Sequence, residues 1–499
     1  MNHRLLVIAG FVATLSLMAP SCSCEDDVHN QFQIGEEFVE DDAGDGDDGG
    51  FEDVDADDQD SSPDDPVVLP DLDDLDGERI DFLWVIDNSA TMCRVQRSLD
   101  KGIERFLDIL EVVNLDVHLA VTTTEMSADP ASSVAAVGGR LQTTPQPLPG
   151  FDAPCHYPLD QNGLPIVEDL SPVRNLLDLS IQCTEDPSAW EGLLEVSDHQ
   201  LRCAVDTTYS HECDDEERVG IADYFPPTGR CDREDGQCEG QSGVTCQFDQ
   251  DCTSSFRERS PVLRTNDFQT EWGTLDRPAL AREFRCLSLV GTRGSEFRQG
   301  LGAAVSAVSP ELTGGPGTAV GDAPNAGFLR DDALLSVVFV SSGNDCSHDG
   351  TLDEESPCGV DQCVVQETLG ADGALLNVDE LHHDFLRNAG VSRGWIPEDT
   401  EVLPEEWKQA LASTVIPISI HGPIQRDIEL SPEECTQPGL VAPACRTAFG
   451  SAWSGHRYAD FLEGFPDSIP QGFGGGQVGG EICHPVAEVF EESGLLWGQ

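Results

Sequence analysis

Residues 80–86 (Ile80-Asp81-Phe82-Leu83-Trp84-Val85-Ile86) form a nearly continuous apolar run that ends at Asp87. A run this short and continuous predicts a strand buried on both faces. After a polar loop, Val95, Leu99, Ile103, Phe106, Leu107, Leu110 and Val113 fall on one face at 3.6-residue spacing, which predicts an amphipathic helix. Asp116–Thr122 reads as a second strand. Farther on, Phe297, Leu301, Ala304 and Val308 predict a helix over Gly294–Val308. Leu334–Val340 reads as a strand, Glu405–Ala412 as a helix and Thr414–Ile420 as another buried strand. Ala459–Leu462 and Pro485–Phe490 read as short helices on either side of a glycine-rich loop, Gly472–Gly480. Alternating strands and helices predict an α/β domain, a doubly wound, mostly parallel sheet over residues 79–499. Ligands of such sheets sit at the carboxyl ends of the strands.

Residues from about 127 to 285 break the rhythm. They are rich in Pro, Gly and Asp and hold eight of the 18 cysteines, from Cys155 to Cys252. The stretch reads as a cysteine-rich, loop-rich insertion stapled by disulfides. An exported chain favours disulfides over metal–thiolate chemistry.

The start of the chain supports export. Arg4 precedes an apolar run from Leu5 to Met18, too short to span a bilayer, then Ala19-Pro20-Ser21-Cys22. This resembles a bacterial lipoprotein signal, which implies cleavage after residue 21 and a lipid anchor on Cys22. The alternative is a secretory signal cleaved near Ser21. Ser23 differs from the aspartate that retains some lipoproteins in the inner membrane, so the resemblance implies the outer membrane; otherwise the chain is periplasmic or secreted. Residues 22–78 read as a disordered spacer: from Glu25 to Glu78 there are 24 acidic residues and no Lys or Arg. Its Asp-rich segments complete no calcium loop. The net charge of -66 argues against nucleic acid and anionic lipid surfaces as partners.

The segment with the clearest chemistry is Asp87-Asn88-Ser89-Ala90-Thr91, between a buried strand and a helix. It offers a carboxylate and two hydroxyls at alternate positions, hard oxygen ligands of the kind Mg²⁺ takes. The same residue types cap helices, which is the other reading of the loop. The loop resembles the metal-ion-dependent adhesion site of the von Willebrand factor A-like family. The resemblance implies that Asp87 holds Mg²⁺ or another divalent cation through water while Ser89 and Thr91 coordinate it directly. It also implies a hydroxyl from a second loop, matched by Ser295 or Thr292, and a carboxylate after a later strand. Ser342 stands where that carboxylate belongs, and Asp345 lies three residues on. The order of segments further resembles von Willebrand A-like lipoproteins of bacterial envelopes. They are Val121–Thr124, Gly139–Leu141, Asn325–Arg330, Asp345–Ser347, Arg457-Tyr458 and Ile482-Cys483.

Other motifs carry less. His382-His383-Asp384 lacks a zinc-protease spacing, and the chain has no Gly-x-Ser-x-Gly elbow and no phosphate loop. The resemblance therefore implies an envelope-anchored adhesion or assembly module that uses an open metal position to take a carboxylate from a protein partner. The rival readings are an envelope scaffold with a degenerate metal site, favoured by Ser342, and an exported hydrolase, for which no motif speaks.

Overall fold

The computed structural model describes residues 79–126, 136–146, 171–184, 257–466 and 478–482, apart from short gaps, with a small ribbon at 231–238 and a few isolated positions. The signal segment, Cys22, the acidic spacer, Cys483 and the helix expected at 485–490 lie outside them.

The apolar run becomes strand β1, Arg79–Ile86, buried from Ile80 onward. Helix α1, Cys93–Val113, and strand β2, Asp116–Thr123, follow. Next come α2, Ser171–Gln182, β3, Val262–Arg264, and α3, Arg277–Leu287. Then come α4, Gly300–Ala307, β4, Leu334–Val340, α5, Gln362–Leu369, and α6, Val378–Ser392. The last are α7, Glu405–Ala412, β5, Val415–His421, α8, His456–Glu463, and β6, Val478–Glu481.

The strands form one six-stranded sheet in the order β3-β2-β1-β4-β5-β6. Five are parallel, and β3 is antiparallel on the edge, pairing Arg264 with His118. Side chains alternate between two faces, and both are covered. Ile80, Phe82, Trp84 and Ile86 pack with Val95, Leu99, Ile103 and Phe106 of α1 and with Phe284 of α3. Trp84 meets the edges of Phe106 and Phe284 at 5.2 and 5.4 Å between centroids. Leu83 and Val85 face the other way, toward Leu301 of α4, Phe385 of α6, Leu411 of α7 and Phe461 of α8. Burial on both faces explains why the strands read as continuous apolar runs rather than alternating ones. The connections leaving β1 and β4 diverge to opposite faces, which opens a crevice at the carboxyl ends of those two strands.

Two expectations need correction. The helix expected over Gly294–Val308 begins only at Gly300, because the preceding segment is a loop tied to its neighbours: Gly294 N–H donates to Asn88 O at 2.8 Å and Gln299 N–H to Thr124 O at 3.1 Å. Within the described part of the insertion lie α2, β3 and most of α3, and Cys183–Cys286 joins the residue after α2 to α3; the rest of the expected insertion lies outside the described residues. Asp276 accepts from Ala279 N–H at 3.2 Å and a proline opens α3, a start signal the composition obscured. The glycine-rich segment ends in a strand, because Val478–Glu481 pairs with β5 through backbone groups that apolar periodicity does not report. Helices α5 and α6 were not expected from the pattern. Two further disulfides, Cys346–Cys363 and Cys358–Cys435, staple the segment after β4. Among the described residues no helix is long and apolar enough to cross a membrane.

Candidate functional site

Asp87 follows β1 directly, and its N–H donates to Val340 O of β4 at 2.9 Å. The residue is fully buried. One carboxylate oxygen accepts from Ser89 N–H at 2.8 Å, which turns the loop back on itself. The other accepts from Ser341 Oγ, Ser342 N–H and Ser342 Oγ, each at 3.1 Å. The Thr91 and Ser342 hydroxyls are 2.6 Å apart, and the Ser89 and Thr91 hydroxyls 3.1 Å apart. Thus the loop after β1 and the loop after β4 converge as the crevice requires.

A guanidinium lies among these oxygens. Arg298 Nε donates to Asp87 Oδ2 at 3.0 Å and to Ser89 Oγ at 3.1 Å. Its Nη2 donates to Thr91 Oγ1 at 2.8 Å and to Glu296 Oε2 at 3.0 Å, and its Nη1 to Glu296 O at 3.3 Å. The Arg298 side chain is 4% exposed, and its carbon centre sits 5.7 Å from the Trp453 ring. Gly343 leaves room for it, because a Cβ there would stand 2.6 Å from Nη1. Gly294 does the same for Asn88, whose side chain a Cβ would overlap.

Of the residues expected to hold a metal, Asp87, Ser89 and Thr91 come together, and Ser341 and Ser342 join them. Ser295 lies on the neighbouring loop, where its N–H donates to Glu125 at 2.6 Å and its hydroxyl accepts from Phe297 N–H at 3.0 Å. Asp345 faces elsewhere: its carboxylate accepts from Leu301 N–H at 2.9 Å, from Ser347 Oγ at 2.8 Å and from Arg457 Nε at 3.3 Å. It holds the start of α4 and is no substitute for the carboxylate missing at Ser342. In this arrangement the oxygens fit a guanidinium and not a divalent cation, because the donors of Arg298 face the same three side chains a metal would need. Among the described residues no group of three or more His, Cys, Asp or Glu is placed to hold a metal. Arg298 was missed at the sequence level, since one arginine four residues after a glycine gives no signal of its own.

Tyr458 is fully buried and is pushed well above the usual phenol value, by burial first and then by the Asp345 and Asp87 carboxylates. The paired histidines of α6 point into different surroundings. His383 Nε2 accepts from Leu403 N–H at 3.1 Å, while His382 packs on Phe461 and Phe465 and is pushed down to about 4 by burial.

A chain of Ser454, His456 and Glu367 stands nearby. His456 Nε2 is 2.6 Å from Glu367 Oε1 and Nδ1 is 3.1 Å from Ser454 Oγ. The Ser454 hydroxyl is engaged with backbone, donating to Gln425 O at 3.0 Å and accepting from Gln425 N–H at 2.8 Å. A serine held that way braces a loop and presents no activated nucleophile.

Fold and site together define a doubly wound α/β domain whose carboxyl-edge cluster is organised around an internal arginine. No family model matches the chain, and no curated protein and no solved structure matches it.

Proposed function

We propose that this chain is an envelope-anchored binding or scaffolding module of the von Willebrand A-like kind that works without a metal. Cys22 would tether it to the membrane, and the acidic spacer would hold the folded domain away from the surface. The observation that carries the reading is Arg298, which supplies the positive charge among Asp87, Ser89 and Thr91 that a divalent ion would otherwise supply. Two features agree with it. The Asp-Asn-Ser-Ala-Thr loop lies at the switch point of a sheet with the strand order above. Ser342, in place of a carboxylate, lowers the negative charge that would favour a dication but leaves enough to bind one guanidinium. A metal-bridged grip on a partner's carboxylate is not part of this reading, because it needs an open coordination position.

Calorimetric titration of the mature chain with Mn²⁺ tests the proposal. The expected result is no site-specific heat through the millimolar range. Heat in the wild-type chain that disappears in Asp87→Ala would overturn it and restore the metal-dependent mechanism. Acyl labelling that requires Cys22 checks the anchoring.

A further inference from the structure

Next to the arginine-filled cluster, at the same edge of the sheet, lies a small cavity that is partly open to solvent. Val360, Val364, Val441 and the Trp453 ring give it apolar walls, and Glu296, Asp361 and Glu367 give it carboxylates. We propose that this cavity receives a lysine or arginine side chain of a partner protein. The inference rests on the reading of the chain as a binding module and names the chemistry of its partner.

The first argument is charge. Three carboxylates line the cavity against one arginine, and that arginine is already bonded to Asp87 and Glu296. His456, the remaining titratable group in the lining, is bonded to Glu367. A carboxylate entering here would meet Glu296 and Glu367 with no free cation to offset them, whereas an ammonium or guanidinium would find acceptors. Both side chains remain available to an arriving cation, Glu296 being 45% exposed and Glu367 30%.

The second argument is shape. Basic side chains carry a long methylene stem below the charge, and a stem gains by lying on an apolar wall while its head stays polar. Three valines and a tryptophan beside the partly exposed carboxylates of Glu296 and Glu367 have that polarity. Cys346–Cys363 and Cys358–Cys435 staple the segment that supplies Val360 and Cys363, so the wall is preorganised and loses little freedom on binding. The third argument is long-range: with a net charge of -66 the chain attracts basic surfaces and repels acidic ones before contact.

The test uses the mature chain and labelled peptides of one neutral sequence with a central Lys, Arg, norleucine or Glu, read by anisotropy at about 0.15 M salt. The Lys and Arg peptides should bind at least roughly tenfold more tightly than the Glu and norleucine peptides. Glu296→Gln combined with Glu367→Gln should weaken them by about tenfold. Glu398→Gln combined with Asp399→Asn, an equal loss of charge at exposed positions outside the cavity, should change binding less than about twofold. Val364→Trp, which fills the cavity and alters no charge, should abolish the preference. Unchanged circular dichroism and melting establish that each variant is folded. Equal losses in the two charge variants, an indifferent Val364→Trp, or equal binding of the Glu peptide would each overturn the inference. Those results leave the metal-free module reading intact. Capture of the Glu peptide that depends on Mn²⁺ would instead overturn that reading.

Discussion

Strand β1 carries a buried aspartate at each end, and each faces an arginine from a distant segment. At the amino end, Asp81 accepts from Arg330 N–H at 2.7 Å and Arg330 Nε at 2.8 Å. At the carboxyl end, Asp87 accepts from Arg298, two serine hydroxyls and two backbone N–H groups. Both carboxylates are fully buried, yet only one is fully solvated by protein. Asp81 relies on one arginine, and burial pushes it up to about 6 although Arg330 and Arg393 pull the other way. The amino-end group includes Arg393, 4% exposed, stacked on Trp395 at 4.6 Å and with no hydrogen-bond partner for its guanidinium nitrogens among the described residues. Burial pushes it down to about 10. The difference shows that a buried ion pair is held by the donors around it more than by the pairing itself. The carboxyl end was built as a cradle for charge; the amino end is a tight joint with charge trapped inside it.

The largest expected effect breaks that comparison directly. Arg298→Met removes five hydrogen bonds, one of them to the buried Asp87 carboxylate, so it should cost about 3–5 kcal/mol in urea unfolding. Arg393→Met removes a cation that gains little from its surroundings and puts a flexible apolar chain beside Trp395. It should change stability by less than about 1 kcal/mol, in either direction. Equal losses in the two variants would show that the two arginines are held alike and would end the contrast.

The second effect sharpens it through pH. His118 sits beside Asp81, its Nδ1 3.6 Å from the carboxylate and 2.9 Å from Phe328 O. It is pushed down from 6.5 to about 4, by burial first and then by Arg330. The two groups act with opposite sign. Between 3.8 and about 6 the native chain keeps a proton on Asp81 that the unfolded chain has released, so this contribution favours folding in acid and fades as pH rises. Between 6.5 and about 4 the unfolded chain takes a proton on His118 that the native chain refuses, so that contribution is complete at neutral pH and fades as pH falls. In the wild type they offset each other. Asp81→Asn should leave stability rising with pH across this window relative to wild type, and His118→Gln should leave it falling. Each deviation should be about 3 kcal/mol for shifts of this size. Parallel profiles for the two variants would refute the assignment.

How much of this could be read from the chain depends on the range of the interaction. β1, α1, β2, β4 and β5 announce themselves because burial on both faces writes a local apolar signature, and α1 places Val95, Leu99 and Ile103 in the core as its periodicity predicts. The Asp87 loop is legible for the same reason: its carboxylate, hydroxyls and helix start are neighbours in sequence. Ser342 is legible as a departure from an expected pattern. Arg298 is not, since it reaches Asp87 across 211 positions and no local rule marks an arginine that will act as a counter-ion. β6 is missed because Gly479 and Gly480 pair through backbone alone. Asp345 illustrates the opposite error: its residue type suits a ligand, while its hydrogen bonds commit it to the start of α4.

The smallest effect asks how redundant the cradle is. Ser341 Oγ lies 3.1 Å from both Asp87 Oδ2 and Gly343 O, so its single proton serves one acceptor at a time. Asp87 Oδ2 keeps Ser342 N–H, Ser342 Oγ and Arg298 Nε when that hydroxyl is removed. Ser341→Ala should therefore cost only about 0.5–1.5 kcal/mol, the ordinary worth of one hydrogen bond. At the amino end the same reasoning gives a different answer: Asp81 has no second hydroxyl to fall back on, and Arg330→Met should cost several times more than Ser341→Ala. If Ser341→Ala instead matched Arg298→Met, the cluster would depend on each donor rather than on their number, and Asp87 would resemble Asp81 after all.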